Sequence, residues 1–280
     1  MVCFMKTVVI TGATSGIGLA VARAMLAAGW HVIGIGSQPV SCTMALEKID
    51  PGLRQNIRFL AGDLMQQREV IRLAKLICLH LDENCDGRLD ALINNAGCVR
   101  SWYATSEEGY EQQFALNHLA GFLLTKMFLP QLIKAHGRIL FTGSGSHRGL
   151  DINWPDMMFK NHYRPLRAYK QSKLCNMLTA LELNHRLTGT GVRAYVVDPG
   201  LVRTDIGNKK TGGLVSLVWT LRKRQGQHPD KPAQTYAWLC SQNPAPDGLY
   251  FYNCQKRAYS RYVTDESARR LFKLSEGLIL

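Results

Sequence analysis

The segment Thr11-Gly-Ala-Thr-Ser-Gly-Ile-Gly18 restricts what this chain can fold into more than any other. It follows a β-branched run, Lys6 to Thr11, and opens an amphipathic run, Gly16 to Ala28, so Gly12, Gly16 and Gly18 fall at a strand-to-helix turn. There a backbone without side chains can approach a pyrophosphate, and the helix start offers unpaired amides and the positive end of its dipole. The spacing is GxxxGxG, not GxGxxG. A tight turn without a ligand is the alternative reading; the strand before it and the helix after it favour a phosphate cradle.

The same alternation continues along the chain. Further strands are expected at His31 to Ile35, Ile57 to Ala61, Ala91 to Asn94, Arg138 to Thr142, Arg193 to Val197 and Leu249 to Tyr252. Between and after them, helices are expected at Thr43 to Ile49, Gln66 to Leu81, Glu107 to Lys134, Leu166 to Arg186, Ala233 to Ser241 and Glu266 to Gly277. Repeated βαβ units predict an α/β fold: a doubly wound, mostly parallel seven-stranded sheet with helices on both faces. With 280 residues, 46% hydrophobic and 20% charged, the chain has enough apolar material for one large domain over residues 1–280. Ser106 before Glu107 and Glu108 reads as an N-cap and first helical turn, and Gly29 and Gly137 read as helix stops. Two long irregular stretches, 145–165 and 201–232, are candidates for functional loops.

No stretch approaches the roughly 18 to 20 apolar residues needed to cross a bilayer, and Met1 leads almost directly into a strand, so neither signal peptide nor membrane anchor is expected. Eight cysteines without a CxxC pair predict reduced thiols, no metal centre and a cytoplasmic location. The formal charge of +13 favours anionic partners such as phosphorylated cofactors or anionic lipid surfaces. No recognition motif accompanies the scattered basic residues, so nucleic acid is not expected as a partner.

Tyr169 and Lys173 stand four apart in the expected helix Leu166 to Arg186, which places a phenol and an ammonium on one face. A tyrosine of pKa about 10 is a weak base at neutral pH, and lowering it by two or three units requires about 1.4 kcal/mol per unit. An ammonium at about 4 Å, at an effective dielectric of about 20, supplies on the order of 4 kcal/mol. The spacing alone equally suits a packed aromatic beside a solvated amine.

The second strand ends in Ile35-Gly36-Ser37-Gln38, where a dinucleotide fold meets the adenosine ribose. No Asp or Glu stands there to bind a free 2′-hydroxyl, and no arginine is near in sequence. The absence of an acid, with Ser37 as a hydrogen-bonding group, favours NADP(H); NAD(H) is the alternative. Asp in place of Gly36 is expected to favour NAD(H).

Taken in order, these elements resemble the short-chain dehydrogenase/reductase family over most of the chain. TGATSGIG resembles its cofactor turn, Asn94-Asn-Ala-Gly97 its NNAG element, and Tyr169 with Lys173 its YxxxK pair. Asn117, in Phe114-Ala-Leu-Asn-His, sits where the family places a helix-kinking asparagine that holds a lysine-bound water. Ser144 resembles the family's substrate-positioning serine, and Asp198-Pro-Gly200 through Thr204 its segment over the nicotinamide. The resemblance implies four catalytic residues. Tyr169 exchanges a proton with the carbonyl or alcohol oxygen, Ser144 hydrogen-bonds that oxygen, Lys173 lowers the Tyr169 pKa and binds the nicotinamide ribose, and Asn117 completes a proton relay.

For the cofactor, the resemblance implies contacts from Gly12, Thr14, Ser15, Gly16, Ile17 and Gly18 in the first turn, and from Ser37 at the ribose. Asp63 and Leu64 would meet the adenine, Asn95, Ala96 and Gly97 the middle of the cofactor, and Pro199, Gly200, Val202 and Thr204 the nicotinamide, alongside Tyr169 and Lys173. Asp63 equally suits a cap of the next helix. Ala168 to Leu178, reading AYKQSKLCNML, and the long gap holding Asp151-Ile-Asn-Trp154 are most similar to the branch of retinol dehydrogenases and light-dependent protochlorophyllide reductases. Cys175 is expected to be a buried helix residue.

The segment Leu214-Val-Ser-Leu-Val-Trp219, flanked by Lys209, Lys210, Arg222, Lys223 and Arg224, resembles the family's substrate lid, expected over 201–232, and has the character of a peripheral membrane contact. Trp102, Tyr103 and Trp154 are candidates for an aromatic pocket wall, with ordinary packing as the alternative; His147 is a loop histidine before it is a catalytic one. The chain is therefore expected to interconvert a carbonyl and an alcohol on a lipophilic small molecule. Reduction of a carbon-carbon double bond, and cofactor sensing without turnover, are the rival readings. Pairing of two copies through the helices at 107–134 and 166–186, as in many relatives, is expected as readily as a monomer.

Overall fold

The computed structural model describes residues 5–203 and 226–280. Its strands are β1 (Thr7–Thr11), β2 (His31–Gly36), β3 (Ile57–Ala61), β4 (Ala91–Asn94), β5 (Arg138–Thr142), β6 (Arg193–Val197), β7 (Tyr250–Tyr252) and β8 (Gln255–Lys256). They form one sheet in the order β3-β2-β1-β4-β5-β6-β7-β8, parallel except for the β7–β8 pair. Seven strands fall where expected. The eighth is a two-residue antiparallel return beyond a turn at Asn253 and Cys254, both at positive φ, and is too short to carry a periodic pattern.

The helices are α1 (Gly16–Ala27), α2 (Pro39–Glu47), α3 (Gln67–Asn84), α4 (Gln112–Phe114), α5 (Ala120–Ala135), α6 (Pro165–Arg186), α7 (Asp230–Ser241) and α8 (Asp265–Glu276). A π-turn, Ala115–Leu119, joins α4 to α5. One apolar cluster packs α1 and α7 on one sheet face, through Val21, Met25, Tyr236 and Leu239. The other packs α3, α5 and α6 on the opposite face, through Leu73, Ile77, Phe128, Leu174 and Leu178. The central strands are buried on both faces, which is why they read as continuous Val, Ile and Leu runs.

Several expected helix ends move; α2, expected at Thr43 to Ile49, runs from Pro39 to Glu47, because Pro39 suits the first helical position. Residues 106–110 form a turn, closed by Ser106 N donating to Tyr110 O at 2.7 Å, instead of the first turn of a helix from Glu107. The helix starts at Gln112, and its cap is Glu111, whose Oε2 accepts from Phe114 N at 2.8 Å. Glu108 instead caps α3, accepting from Gln67 N at 2.6 Å, while Ser106 holds the Glu108 carboxylate at 2.8 Å. At the end of α5 the left-handed residue is His136, one before the expected Gly137; its ring is held by Thr190 O at 2.7 Å. Gly29 stops α1 as expected, at φ +78°.

α8 is amphipathic and lies across the outer surfaces of α5 and α6. Phe272 meets Phe122 of α5 edge-on at 4.8 Å, Arg186 of α6 stacks over Phe272 at 4.1 Å, and Lys126 of α5 pairs with Glu276 at 2.7 Å. At the centre of this junction His118, buried in the π-turn, shares a 2.8 Å hydrogen bond with Ser275.

Candidate active site

The order of strands reverses at β1, which lies between β2 and β4, and their carboxyl ends part there to leave a crevice. The loop after β1 forms one lip. Gly12 and Gly16 hold φ of +65° and +54°, which residues with a Cβ rarely adopt. A Cβ on Gly18 would lie 2.2 Å from Gly12 O and 2.6 Å from Asn95 Nδ2, so only glycine lets the first turn of α1 press against its own loop. Ser15 caps α1 in an extended conformation without a side-chain cap bond, and no acid stands in the first turn to repel a phosphate. This cradle suits a dinucleotide pyrophosphate, with Thr14 and Ile17 beside it.

Ser37 is exposed at the end of β2, as a ribose contact requires. Gly36 is not a usable position. A Cβ there would meet Thr14 Cγ2 at 2.4 Å and Cys42 Sγ at 2.7 Å, so an aspartate at 36 would disrupt the packing before it reached a ribose. The fold also supplies an arginine that sequence distance hid. Arg72 on α3 donates to Ala61 O at 2.9 Å, and Ala61 is the β3 partner of Gly36. Glu69 holds this guanidinium at 2.8 and 3.1 Å, which lowers the carboxyl pKa and raises that of the arginine. An arginine one helical turn from its carboxylate was the available signal. Asp63 builds the turn before α3, its Oδ1 accepting from Met65 N at 3.0 Å, and Leu64 is buried in the core.

Asn95, Ala96 and Gly97 form the opposite lip. Thr11 Oγ1 accepts from both Asn95 N and Ala96 N at 2.9 Å, and Asn95 Nδ2 donates to Thr11 O at 3.0 Å. Thr142 donates to Asn95 Oδ1 at 3.2 Å and shares a 2.8 Å bond with Tyr236 OH. The ends of β1, β4 and β5 are thereby tied together. Thr11 and Thr142 did this unannounced, since nothing in a lone threonine marks it as a tie between strands.

Tyr169 and Lys173 lie on α6, both buried, at 8% and 2% exposure. Lys173 Nζ donates to Thr142 O at 2.9 Å and stands 5.7 Å from the centre of the Tyr169 ring. Burial pushes the ammonium down to about 8. Asn117 Nδ2 donates to Ser172 Oγ at 3.0 Å, and Ser172 Oγ donates in turn to Tyr169 O at 2.8 Å, so the π-turn grips α6 between Tyr169 and Lys173. Gly97 must be small: a Cβ would sit 3.1 Å from Asn117 Oδ1 and 3.7 Å from Lys173 Nζ. Asn117, Tyr169, Lys173 and Gly97 are thus gathered in one place.

Ser144 follows β5 and caps a short turn, Gly145–His147, that packs on α6; its Oγ accepts from Ser146 N at 3.2 Å. His147 is fully buried and committed elsewhere. Its Nδ1 donates to Ser144 O at 2.7 Å and its Nε2 accepts from Ser260 N at 3.2 Å, a neutral ring that burial keeps neutral. It anchors the Ser144 loop. Asp198 shapes the turn after β6, accepting from Gly200 N at 2.8 Å and from the Tyr250 hydroxyl. Pro199 O accepts from Gln227 Nε2 at 2.8 Å, and Val202 is bridged to Gln227. Thr204, the stretch 214–219 and its basic flanks lie outside the described residues.

Trp102 and Tyr103 are exposed beyond the Gly97 lip, with Tyr103 edge-on to Tyr163 at 5.6 Å. Trp154 is not with them; it packs under Arg270 of α8 at 4.2 Å. Cys175 is fully buried on α6, where burial raises its thiol pKa. The described cysteines are all free.

A doubly wound parallel sheet with a glycine cradle at its switch point and a buried tyrosine–lysine pair has the architecture of a dinucleotide-binding protein. The chain belongs to the short chain dehydrogenase family, whose model matches residues 6–213. It is 35% identical to human retinol dehydrogenase 14 over 302 residues, spanning 98% of this chain and 86% of that protein. With human polyprenol dehydrogenase it shares 31% identity, across 92% of this chain and 80% of the relative. Among solved structures, an uncharacterized protein from Mycobacterium paratuberculosis superposes with a TM-score of 0.76 at 28% identity, covering 98% of this chain and 93% of that one. An alcohol dehydrogenase from Thermococcus sibiricus complexed with 5-hydroxy-NADP shares the fold, with a TM-score of 0.67 at 24% identity, covering 91% of this chain and all of the other. The retinol dehydrogenase branch expected from AYKQSKLCNML is thus the one found, and the chain is an oxidoreductase of alcohols and carbonyls.

Proposed function

We propose that this chain is an NADP(H)-dependent oxidoreductase interconverting a carbonyl and an alcohol on a lipophilic small molecule, with Tyr169 as the group that exchanges the proton. The observation that carries this reading is the buried Lys173 ammonium, fixed by Thr142 O at 2.9 Å and set beside the Tyr169 ring. An immobile cation there stabilises a phenolate without reorganising when the proton leaves.

The nicotinamide ring, when bound, supplies or accepts the hydride. The protein's residues do the rest. Gly12, Gly16 and Gly18 hold the pyrophosphate against the start of α1. Lys173 holds the nicotinamide ribose and the phenolate charge, and Tyr169 gives its proton to the substrate oxygen or takes it back. Ser144 Oγ hydrogen-bonds that oxygen. Both polar atoms of the Asn117 side chain are engaged, by Cys98 and Ser172, so its part in a relay falls to its main-chain carbonyl.

The preference for NADP(H) is supported by the lack of an acid at the end of β2 and by Arg72 beside it. A lipophilic substrate is supported by relatives named for retinol and polyprenol, both apolar alcohols, and by exposed Trp102 and Tyr103. Among the described residues no helix is long and apolar enough to cross a membrane; in a cytoplasmic protein, the basic-flanked segment at 209–224 suits a substrate lid first and a peripheral membrane contact second. α8 packs against α5 and α6 through Phe272 and Glu276, which supports a monomer over pairing through those two helices.

The test follows NADPH and NADH oxidation over a panel of long-chain aldehydes, ketones and enones, with Tyr169→Phe as control. Carbonyl reduction is expected with NADPH and lost by roughly 10²- to 10⁴-fold in the variant. Wild-type turnover by Tyr169→Phe would remove the proton donor from this reading.

A further inference from the structure

At the amino-terminal edge of the sheet, opposite the cofactor crevice, one ligand atom from each of His31, His80 and Cys85 lies within 4.8 Å of the others. His31 begins β2, while His80 lies in the last turns of α3 and Cys85 follows its end. The two imidazoles face each other with ring centres 5.3 Å apart. β2 spans six residues, so at about 3.3 Å per residue the cluster stands roughly 17 Å or more from Ser37 and the cofactor end.

We propose that His31, His80 and Cys85 form a zinc(II) site with a solvent molecule in the fourth position. Two imidazoles and a thiolate are the donors this borderline-soft ion takes, whereas magnesium and calcium take oxygen. Burial, the neighbouring ring and the Arg58 guanidinium all hold His31 below its usual pKa, and burial does the same to His80, so both rings are neutral and ready to bind. His80 Nε2 is buried and has no hydrogen-bond partner among the described residues, while Asn84 Nδ2 stands 3.2 Å from its Nδ1. Ligation through Nε2 moves the ring proton to Nδ1, and the 3.2 Å approach of Asn84 Nδ2 to Nδ1 is given up while its 3.0 Å bond to His80 O stays.

In a tetrahedral zinc site the donor atoms stand roughly 3.3 to 3.6 Å apart, so the widest separation here closes by about 1 Å. Among the described residues Cys85 Sγ accepts only a 3.4 Å contact from Thr7 Oγ1, and the cysteine sits at the helix end, where rotation is local. Binding replaces the thiol proton: one S–H bond breaks, one Zn–S bond forms, and one proton leaves to solvent. Arg58 is exposed, and water screens its charge from the ion. The sequence hid this cluster because His31 is on a strand remote from the other two.

The experiment adds cobalt(II), as a spectroscopic stand-in, and zinc(II) to the full chain stripped of metal. One equivalent of cobalt is expected to bind with a thiolate-to-metal band in the near ultraviolet, zinc to displace it, and zinc to raise the melting temperature. Cys85→Ser is expected to lose the band, and His80→Gln to weaken binding by at least about tenfold. Carbonyl reduction should survive in both, because neither residue touches the crevice. No band with the wild type, or an undiminished band in Cys85→Ser arising from another thiol, overturns the site. If Cys85→Ser does not fold, His80→Gln decides alone: unchanged affinity and an unchanged zinc-induced melting shift reject it.

Discussion

The Asn117 carboxamide is clasped by both main-chain groups of Cys98: its Oδ1 accepts from the Cys98 amide at 2.7 Å, and its Nδ2 donates to the Cys98 carbonyl at 3.0 Å. A side chain thus pairs as a strand would with the loop leaving β4. The same Nδ2 reaches Ser172 on α6, so one residue fixes both the Gly97 lip and the helix that carries Tyr169 and Lys173.

Asn117→Leu should therefore harm stability and rate together. It leaves a buried amide and a buried carbonyl of Cys98 unpaired, at roughly 1–3 kcal/mol each, so unfolding in urea should show a loss of about 2–5 kcal/mol. The kcat should fall while the KM for a hydrophobic carbonyl stays near that of the wild type. A stable Asn117→Leu protein would contradict the clasp.

Lys173 sets a pH limit. Its folded pKa of about 8 lies below the usual lysine value of 10.5, so the ammonium is present below pH 8 and lost as pH rises through it. The kcat/KM for carbonyl reduction, which reports groups in the form that meets the substrate, should fall as pH rises above about 8. Lys173→Met should be slow at every pH, without that break. A break that survives in the variant belongs to another group.

Cofactor choice should respond at Ser37 and Arg72. Ser37→Asp places a carboxylate at an exposed position at the end of β2, where it repels a 2′-phosphate and can bind a free hydroxyl. The ratio of NADPH to NADH efficiency should drop by at least about tenfold, near 1.4 kcal/mol. Arg72→Ala should weaken NADPH more than NADH. Equal losses for both cofactors would put Arg72 outside the phosphate's reach.

Acid should loosen α8 through His118. Burial pushes this ring down to about 3, whereas the unfolded chain titrates near 6.5, so between those values the unfolded state holds the extra proton. Stability is therefore lost as pH falls from 6.5 toward 3, by on the order of 5 kcal/mol in total. His118→Gln should be less stable at pH 7 and show a shallower acid slope. An unchanged slope would mean that other groups govern acid unfolding.

The sheet was legible because strands buried on both faces leave runs such as Val8 to Ile10 and Ala91 to Ile93 that few other structures suit. The cradle and the Tyr169–Lys173 pair were legible because their spacing is local. What stayed hidden was long-range. Glu108 looked like the first turn of its own helix and caps α3 instead, and Arg72 comes near the end of β2, through Ala61 O, only because β3 lies beside β2. Gly36 seemed open to substitution, yet Thr14 and Cys42 from two other segments close over it. His147, read first as a loop residue, does its work as a neutral tether between Ser144 and Ser260.

The π-turn at Ala115–Leu119 makes the number of residues there matter more than their identity. A π-turn carries one residue more than the α-helical turn it replaces, and each residue of a helix turns its successors by about 100°. Deleting a single residue between Phe114 and Ala120 would restore a regular α-helical turn with Phe122 and Phe128 still in phase, but would remove the bulge that aims Asn117 at Cys98 and Ser172 and His118 at Ser275. Point substitutions along this stretch should be graded in effect, while a one-residue deletion should be all or none. Chains that vary freely in the loops at either end of this helix are therefore expected to keep the same residue count from Glu111 to Phe128.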